Sequence, residues 1–395
     1  MIQGVLYHPR TNLLATNILL CQCGSNLFIE KYSASKLRGI NLITLCPSKY
    51  INVIVGNNNA GKTSLLEGIY YCSTLKSFKG VSPDTLIQNN KNTLKILLNV
   101  VKSSDNISIY TEKSLNSTNT VKINEKRATM KSLMLTLPCI ALSFGVENII
   151  MQPSEQRRSF VDWGAFHVEP SHLYNLKNYN KSLKQRNSLL KKQDRSGLEY
   201  WTKEVCKQGL LVHEQRAEYF NNLNDQFKGY IDKLIKIDAG AYADIKNTVI
   251  MYKQGWDNSE SLISALTTSY SKDLVMKYTT VGPHRADILF FSNGADLKNI
   301  SSMSTQIIVS LLLVLSQAEV FHVKHGVRPI ILIDDLFFGI DDKNLRLVIN
   351  LLVGSKTQCF ITAPDLYKEK IESLGKATAE VKLYEFIDGE LREGS

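Results

Sequence analysis

Residues 56–63, which read Gly-Asn-Asn-Asn-Ala-Gly-Lys-Thr, constrain the fold of this chain more than any other segment. They fit the pattern G-x-x-x-x-G-K-[ST], they follow an apolar run at 52–55, and a helical pattern begins at Lys62. A strand, a glycine-rich turn and a helix in this order form a P-loop, whose backbone N–H groups and helix N-terminus surround phosphates. The pattern also arises by chance, so a second and independent signal is needed.

A P-loop gives each of its residues an expected role. Lys62 would neutralise the β- and γ-phosphates of ATP and so act in catalysis, and the Thr63 hydroxyl would bind Mg²⁺. Backbone N–H groups of the loop would surround the phosphates. The expected nucleotide-contacting residues are Gly56, Asn57, Asn58, Asn59, Ala60, Gly61, Lys62, Thr63 and Ser64.

The second signal is a buried-strand pattern at 330–333 that ends in Asp334 and Asp335. A strand that ends in acid beside a P-loop strand completes the Mg²⁺ shell in such folds. Asp334 would therefore hold the metal, directly or through water, and Asp335 would orient or deprotonate the attacking water. The alternative is a strand that merely ends in a solvated turn. The P-loop earlier in the chain, in the correct order, argues against that alternative.

Changes of pattern divide the chain into an N-terminal extension, residues 1–25, and three further stretches. Residues 26–150 alternate short apolar runs with turn signals, which predicts strands. Residues 151–280 show helical periodicity, with two long helices around the polar turn 191–197, a helical hairpin. In residues 281–395 strands again alternate with helices, which predicts a largely parallel α/β sheet. The extension is too weakly apolar for an export signal.

Charge and composition narrow the partners and the compartment. The formal net charge is +10 and the pI is about 9.1, which suits a nucleic acid or an acidic membrane surface. The longest apolar runs are too short to cross a bilayer, so we expect no membrane span. Seven cysteines are scattered without a zinc-binding pattern, which is typical of reduced thiols in a cytosolic protein.

The predicted hairpin is strongly basic. Residues 171–207 contain nine lysines and arginines against three acidic residues. Such a surface could follow a DNA backbone, and the candidate contacts are Lys184, Arg186, Lys191 and Lys192. The alternative is a basic helix face that is merely solvated. With charge as the only evidence, this alternative is favoured.

Several strings resemble the RecF family. Residues 156–170 (QRRSFVDWGAFHVEP) resemble that family's R-R-x-F-[LV]-D-W-x-x-F-H-x-E-P, residues 184–190 (KQRNSLL) its K-Q-R-N-x-L-L, and residues 282–287 (GPHRAD) its G-P-H-[RK]-A-D. The segment 64–71 and the pair Ser77-Phe78 also resemble the segment after the family's P-loop. Because His167 and His284 lie inside these strings without partners for catalysis or metal binding, we expect structural roles for both.

The resemblance implies an ATP-binding-cassette (ABC/SMC-type) P-loop ATPase head with an inserted α-helical hairpin lobe. In such heads two subunits sandwich ATP, and each supplies a signature loop and a D-loop. Ser302 of one subunit would contact the γ-phosphate of the ATP that is bound at the other subunit's P-loop. Arg38 lies in a string similar to the family's F-R-N-x and could reach the phosphates. A surface arginine is the alternative for Arg38.

The sequence departs from the family pattern at several positions. In the signature S-x-G-Q, Ser304 replaces glycine and Thr305 replaces glutamine. Asn59 stands at a usual P-loop glycine, although asparagine tolerates positive φ better than most residues. The D-loop, which ends S-E-L-D in the family, keeps Asp341 and loses the glutamate. The lost signature glycine puts the close approach of backbone to phosphate in question.

The resemblance also implies a function. It predicts a cytoplasmic, ATP-dependent DNA-binding protein of recombinational repair and replication, active in the DNA-damage (SOS) response. It would bind duplex DNA near single-strand gaps, help RecO and RecR load RecA, and hydrolyse ATP slowly as the switch of a homodimer. The main alternative is a DNA-binding scaffold with a decayed ATPase, as the altered signature suggests. A transporter ATPase subunit agrees less well with the long helical insertion and the family strings. A P-loop kinase would need an acceptor-binding lid, and no segment of the sequence resembles one.

Overall fold

A computed structural model describes residues 27–143, 148–237, 242–337, 339–377, 380–387 and 390–394. The expected N-terminal extension, residues 1–25, lies outside the described residues. The strands are β1 (Leu27–Leu37), β2 (Ile40–Leu45), β3 (Ile51–Gly56), β4 (Thr93–Lys102), β5 (Asp105–Ser114), β6 (Thr120–Ile123), β7 (Lys126–Arg127), β8 (Cys139–Ser143), β9 (Thr248–Lys253), β10 (Asp287–Ser292), β11 (Ala295–Asp296), β12 (Ile330–Asp334), β13 (Cys359–Pro364), β14 (Val381–Ile387) and β15 (Glu390–Glu393).

Helices connect these strands. They are α1 (Lys62–Thr74), α2 (Met130–Thr136), α3 (Ser154–Val168), α4 (His172–Lys192), α5 (Leu198–Ile237), α6 (Ala243–Lys246), α7 (Leu262–Thr268), α8 (Tyr270–Met276), α9 (Leu297–Ile300), α10 (Met303–His325), α11 (Asp342–Gly354) and α12 (Lys368–Ala377). The helix expected at Lys62 begins at that residue, and the expected hairpin is formed by α4 and α5.

The sheet that carries the P-loop has the strand order β15-β14-β3-β13-β12-β8. All its neighbours pair in parallel except β14 and β15. Every residue of β3 and of β12 is buried, which is the pattern of a parallel strand covered on both faces. The expectation of a largely parallel α/β sheet is confirmed. The carboxyl ends of β3, β13 and β12 therefore lie along the same edge.

A second sheet is antiparallel, with the order β2-β1-β4-β5-β6-β7. Buried and exposed residues alternate along β4, so one of its faces contacts the core and the other faces solvent. Leu65, Leu66 and Ile69 of α1 belong to one apolar cluster with β1, β4 and the near face of the parallel sheet. The P-loop helix is thus held between the two sheets.

The helical hairpin shares its core with the nucleotide-binding sheet. Tyr219, Phe227 and Leu234 of α5 pack in one apolar cluster with α10 and the far face of the parallel sheet. At Gly164 of α3 a Cβ atom would lie 2.0 Å from the Tyr219 ring, so α3 and α5 touch where only glycine fits. Strand β9 lies before the boundary expected between residues 280 and 281, and strand β10 lies after it. The two strands pair, so one small sheet contains residues from both sides of that boundary.

Helix α10 is the central helix of this core. Among the described helices it alone is long and apolar enough to span a membrane. Its residues Ile307–Ala318 are buried inside the protein, against α5 and the parallel sheet. The apolar character of α10 is therefore explained by its place in the core.

Candidate nucleotide-binding site

The P-loop turns sharply at two glycines. Gly56 ends β3 with φ 154°, and a Cβ atom there would lie 2.9 Å from Cβ of Phe386 on the neighbouring strand β14. Gly61 precedes α1 with φ 111°, and its Cβ would lie 3.0 Å from Ile40. Both positions exclude a side chain, because the backbone conformation and the space around it admit only glycine.

The departure at Asn59 is accommodated by its backbone. Asn59 has φ 65°, in the left-handed region, which asparagine enters more easily than most residues. The side chains of Asn57, Asn58 and Asn59 are exposed, and Ala60 N–H donates to the Asn57 carbonyl at 3.2 Å. The loop thus keeps a compact turn without the usual glycine.

Lys62 folds back over the loop. Its Nζ donates to the carbonyls of Gly56 (2.7 Å) and Asn57 (2.9 Å), and the side chain is almost fully buried. Burial lowers the pKa of Lys62 from its ordinary value, while the charges of Asp335 and Asp334 oppose that shift. The ammonium is therefore held beside the loop, where bound phosphates would lie.

Thr63 and Asp334 meet although they lie 271 residues apart in sequence. The Thr63 hydroxyl donates to the two carboxylate oxygens of Asp334 at 2.9 and 3.1 Å. Hydroxyl and carboxylate oxygens are the hard ligands that Mg²⁺ prefers, and Mg²⁺ usually completes its shell with water and substrate phosphates. The oxygen atoms present here fit such an ion.

The neighbouring strand supplies a residue that the sequence analysis did not single out. Thr362, on β13 between β3 and β12, donates from its hydroxyl to Asp334 Oδ1 at 2.8 Å. The same hydroxyl accepts the backbone N–H of Asp335 at 2.8 Å. Thr362 therefore fixes both acidic residues. The available signal was a buried polar residue at the carboxyl end of an apolar strand.

Asp335 occupies an unusual position. Its φ is 57°, in the left-handed region, so the chain turns away at once after β12. Burial and the adjacent charge of Asp334 raise the pKa of Asp335, whereas Lys62 and Lys79 act in the opposite direction. A raised pKa makes a carboxylate a better proton acceptor, which suits the expected role toward water.

Arg38 lies in the turn between β1 and β2 and is bound to protein groups. Its guanidinium forms an ion pair with Glu67 of α1, and its Nε donates to the carbonyl of Thr85 at 3.3 Å. Glu67 is fully buried and also accepts the hydroxyl of Ser77. The structure therefore gives Arg38 a structural ion pair close to the P-loop helix.

The signature segment caps α10. The Ser302 side chain accepts the Thr305 N–H at 3.2 Å, and Ser302 itself is exposed. The Ser304 hydroxyl donates to the Gly339 carbonyl at 3.0 Å. Asp341 caps α11 by accepting the Asn344 N–H at 2.9 Å. Residue 338 of the D-loop lies outside the described residues.

Comparison with known proteins gives the family. Residues 28–382 match the model described as the RecF/RecN/SMC N terminal domain. A protein named DNA replication and repair protein RecF, from Shewanella piezotolerans, is 30% identical over 337 residues, which cover 85% of this chain and 91% of the relative. A protein of the same name from Coxiella burnetii strain RSA 493 is 31% identical and covers 86% and 93%. The chain belongs to the RecF family.

Solved structures agree on the fold. A structure of RecF with ATP, described as the recombination mediator protein of the RecFOR pathway, has a TM-score of 0.77 and 24% identity, covering 94% of this chain and 98% of that chain. An Smc head domain from Pyrococcus furiosus has a TM-score of 0.53 and 14% identity, covering 93% and 96%. The expected ABC-type ATPase head is thus confirmed as the fold.

Two of the strings that resemble RecF contact each other in this family member. Arg157 forms two hydrogen bonds, of 2.8 and 2.7 Å, with the carboxylate of Asp287, which joins the first string to the third. The two ring nitrogens of His284 contact the Tyr179 hydroxyl (2.6 Å) and the Thr279 carbonyl (2.9 Å). His167 is buried between the carbonyls of Trp163 and Met134. These contacts agree with structural roles for both histidines.

One of the four candidate DNA contacts has to be corrected. Lys184, Lys191 and Lys192 are exposed on the hairpin. Arg186 is completely buried, and its Nη1 binds Asp273 (2.8 Å) and Thr279 (2.7 Å). Arg186 therefore holds the hairpin to α8 and is not available to DNA in this structure.

Proposed function

We propose that this RecF-family protein is an ATP-dependent DNA-binding protein of recombinational repair and replication. The observation that carries the proposal is the contact of Thr63 with Asp334, with Lys62 and Asp335 beside them, at one edge of an ABC-type sheet. Hard oxygen ligands next to a phosphate-binding loop support binding of ATP with Mg²⁺. In the proposed site, Asp335 positions the attacking water and Lys62 neutralises developing charge on the phosphates.

We propose further that ATP joins two copies of the chain. Ser302 is exposed at the N-terminus of α10, where backbone N–H groups favour an anionic ligand from another molecule. A γ-phosphate bound to the partner's P-loop would meet that end. Slow hydrolysis would then release the dimer, so ATP serves as a switch.

The DNA part of the proposal is supported by charge. The chain carries a net charge of +10, and the exposed lysines of the hairpin concentrate part of it. The relatives are named as DNA replication and repair proteins. We propose cytoplasmic action on duplex DNA near single-strand gaps, together with RecR and RecO, to help load RecA during the SOS response to DNA damage.

One titration tests this function. Gapped, duplex and single-stranded DNA of equal length would be titrated with the protein, with and without ATP and Mg²⁺. We expect tighter binding to gapped DNA than to single strands, and a further gain with ATP. Equal weak binding to all three, unchanged by ATP, would contradict the proposal.

A second candidate is a DNA-binding scaffold whose ATPase has decayed. The observation that favours it is the hydrogen bond from Ser304 to Gly339, at a position where the family pattern has glycine. Comparison of ATP affinity with ATP turnover separates the two candidates. The scaffold predicts that the chain stays monomeric in sedimentation experiments at saturating ATP, whereas the switch predicts an ATP-dependent dimer.

A further inference from the structure

The small sheet formed by β11, β10 and β9 exposes an apolar face. Val249 lies opposite Phe291 and Met251 lies opposite Leu289, so the four side chains form two cross-strand pairs on one face. Val249 is 52% exposed and Met251 is 51% exposed, while Phe291 and Leu289 are partly exposed. None of the four belongs to an apolar core cluster of the described residues. Scattered apolar residues are normal on a protein surface, whereas a contiguous apolar group marks an interaction site.

Strand β9 is also an edge strand. The order of the sheet is β11-β10-β9, and in the described part of the chain no strand pairs with the other edge of β9. Such an edge presents unpaired N–H and C=O groups, to which an extended segment can add as a further strand. Charged residues often protect such edges, yet the residues that β9 turns outward before its last position are a valine and a methionine. A strand is therefore the shape of partner that fits this edge.

Charge indicates the composition of that strand. Lys253 ends β9 on its apolar face and Lys246 lies just before β9; both are exposed, and neither forms an ion pair with a described residue. Two acids of the same face are already bonded. Asp287, opposite Lys253, is held by Arg157, and Asp296 of β11 caps α9. A second copy of this chain, with its net charge of +10, complements the two lysines poorly, whereas acidic residues at both ends of a bound strand would complement them well.

We propose that the edge of β9 binds an extended acidic segment of another protein as a fourth strand of this sheet, in addition to the proposed binding of ATP and DNA. Because the sheet is antiparallel throughout, the added strand is antiparallel as well. Opposite residues share a face, so apolar residues of the segment stand opposite Met251 and Val249. An acid two residues before them stands opposite Lys253, and an acid two residues after them lies beside Lys246. The geometry thus defines the pattern acid-x-apolar-x-apolar-x-acid.

The test uses the full-length protein and a fluorescently labelled peptide that fits this pattern, Glu-Thr-Ile-Thr-Ile-Thr-Glu. Peptide binding would be measured by fluorescence anisotropy. Met251→Lys should weaken this binding about tenfold, because it places a charge at the centre of the apolar face, where the bound strand would bury it. Met276→Lys is the matched control. Met276 is 44% exposed at the end of α8, and this variant should bind the peptide as tightly as the parent does.

An exchange of charge tests the pattern itself. The peptide Lys-Thr-Ile-Thr-Ile-Thr-Lys keeps the apolar residues and reverses the ends, so the parent should bind it about tenfold more weakly. The double variant Lys246→Glu, Lys253→Glu should reverse this preference and bind the lysine peptide more tightly. Equal binding of both peptides to both proteins, or no binding of either peptide to the parent, would overturn the proposal. A dimer of the parent that Met251→Lys disrupts and Met276→Lys does not would also overturn it, because the occupant of the face would then be a second copy of the chain.

Discussion

The hydroxyl of Ser304 donates a hydrogen bond of 3.0 Å to the carbonyl oxygen of Gly339. Ser304 lies in the first turn of α10, and Gly339 lies in the loop that leaves Asp335. The two segments are also in close steric contact, because a Cβ atom at Gly339 would lie 2.7 Å from Met303. The signature segment and the D-loop of the chain are therefore joined by a residue that departs from the family pattern.

This bond predicts slow turnover. Restoring glycine at 304 together with glutamine at 305 should release the signature segment and raise steady-state phosphate release about tenfold at nearly unchanged ATP affinity, since misplaced donors to a transition state cost rate rather than ground-state binding. Ser304→Ala removes the hydrogen bond and keeps the Cβ atom, so it separates the two effects of the serine. Brisk hydrolysis by the parent protein would show that the signature is aligned wrongly.

Lys62 should be required for ATP binding. Lys62→Ala removes a charged donor to phosphate, and we expect about a hundredfold loss of ATP affinity in calorimetry. The melting temperature should change little, because the lysine belongs to a loop and contributes little to core packing. Lys76→Ala is the matched control with full ATP affinity. An unaltered ATP affinity in Lys62→Ala would refute the phosphate role.

Thr362 should hold the acidic pair in place. Thr362→Val keeps the shape of the side chain but leaves Asp334 and the Asp335 N–H without this partner, which should cost about 1–3 kcal/mol of unfolding free energy in urea denaturation. ATP turnover should fall as well. Thr362→Ser restores the hydroxyl and should recover both quantities. If valine is tolerated without loss, Thr362 is not needed to position the carboxylates.

The exposed lysines of the hairpin should contact DNA phosphates. Reversal of Lys184, Lys191 and Lys192 to glutamate should weaken duplex binding and flatten its salt dependence, by roughly 0.9 in the log–log slope for each phosphate that the variant no longer neutralises. Reversal of Lys95, Lys126 and Lys131, which are exposed on the antiparallel sheet or at α2, is the charge-matched control. If only the control variant binds DNA more weakly, the DNA-binding surface lies on that sheet and not on the hairpin.

Stability should decrease between pH 6.5 and pH 4. Burial lowers the pKa of His167 and that of His284 to about 4 from the ordinary 6.5. In this range the unfolded chain binds protons that the folded chain does not. The free energy of unfolding therefore decreases as the pH is lowered, by up to about 3 kcal/mol per pH unit for two protons. Urea denaturation at several pH values measures this slope. His167→Gln and His284→Gln should each reduce it, and an unchanged slope in both would contradict the assignment.

Much of the site could be predicted because its chemistry is local in sequence. The P-loop and the strand ending in Asp334 each carry a complete pattern, and parallel strands bring their carboxyl ends to one edge. Thr362 was missed because a threonine inside an apolar strand resembles a core residue. Its role depends on β13 lying between β3 and β12, an order that no local pattern encodes.

The error at Arg186 has a different cause. Charge alone places Arg186 among the DNA contacts, yet Arg186 lies three residues after Leu183 and four before Leu190, on the apolar stripe of α4. Helical periodicity therefore already placed this arginine inward. Its partners Asp273 and Thr279 come from a distant part of the chain, so only the tertiary structure could show how its charge is balanced.

Helix α5 has a mechanical consequence. It is 40 residues long, or about 60 Å, and it runs without interruption from the hairpin turn into the core, where it packs along α10. The tight contact of Tyr219 with Gly164 prevents it from sliding past α3. A load applied at the hairpin turn would act on α5 as on a stiff lever, and the torque would reach α10 in the core. If the proposed DNA contacts lie on the hairpin, tension on the DNA would pass along α5 into the core of the nucleotide-binding head.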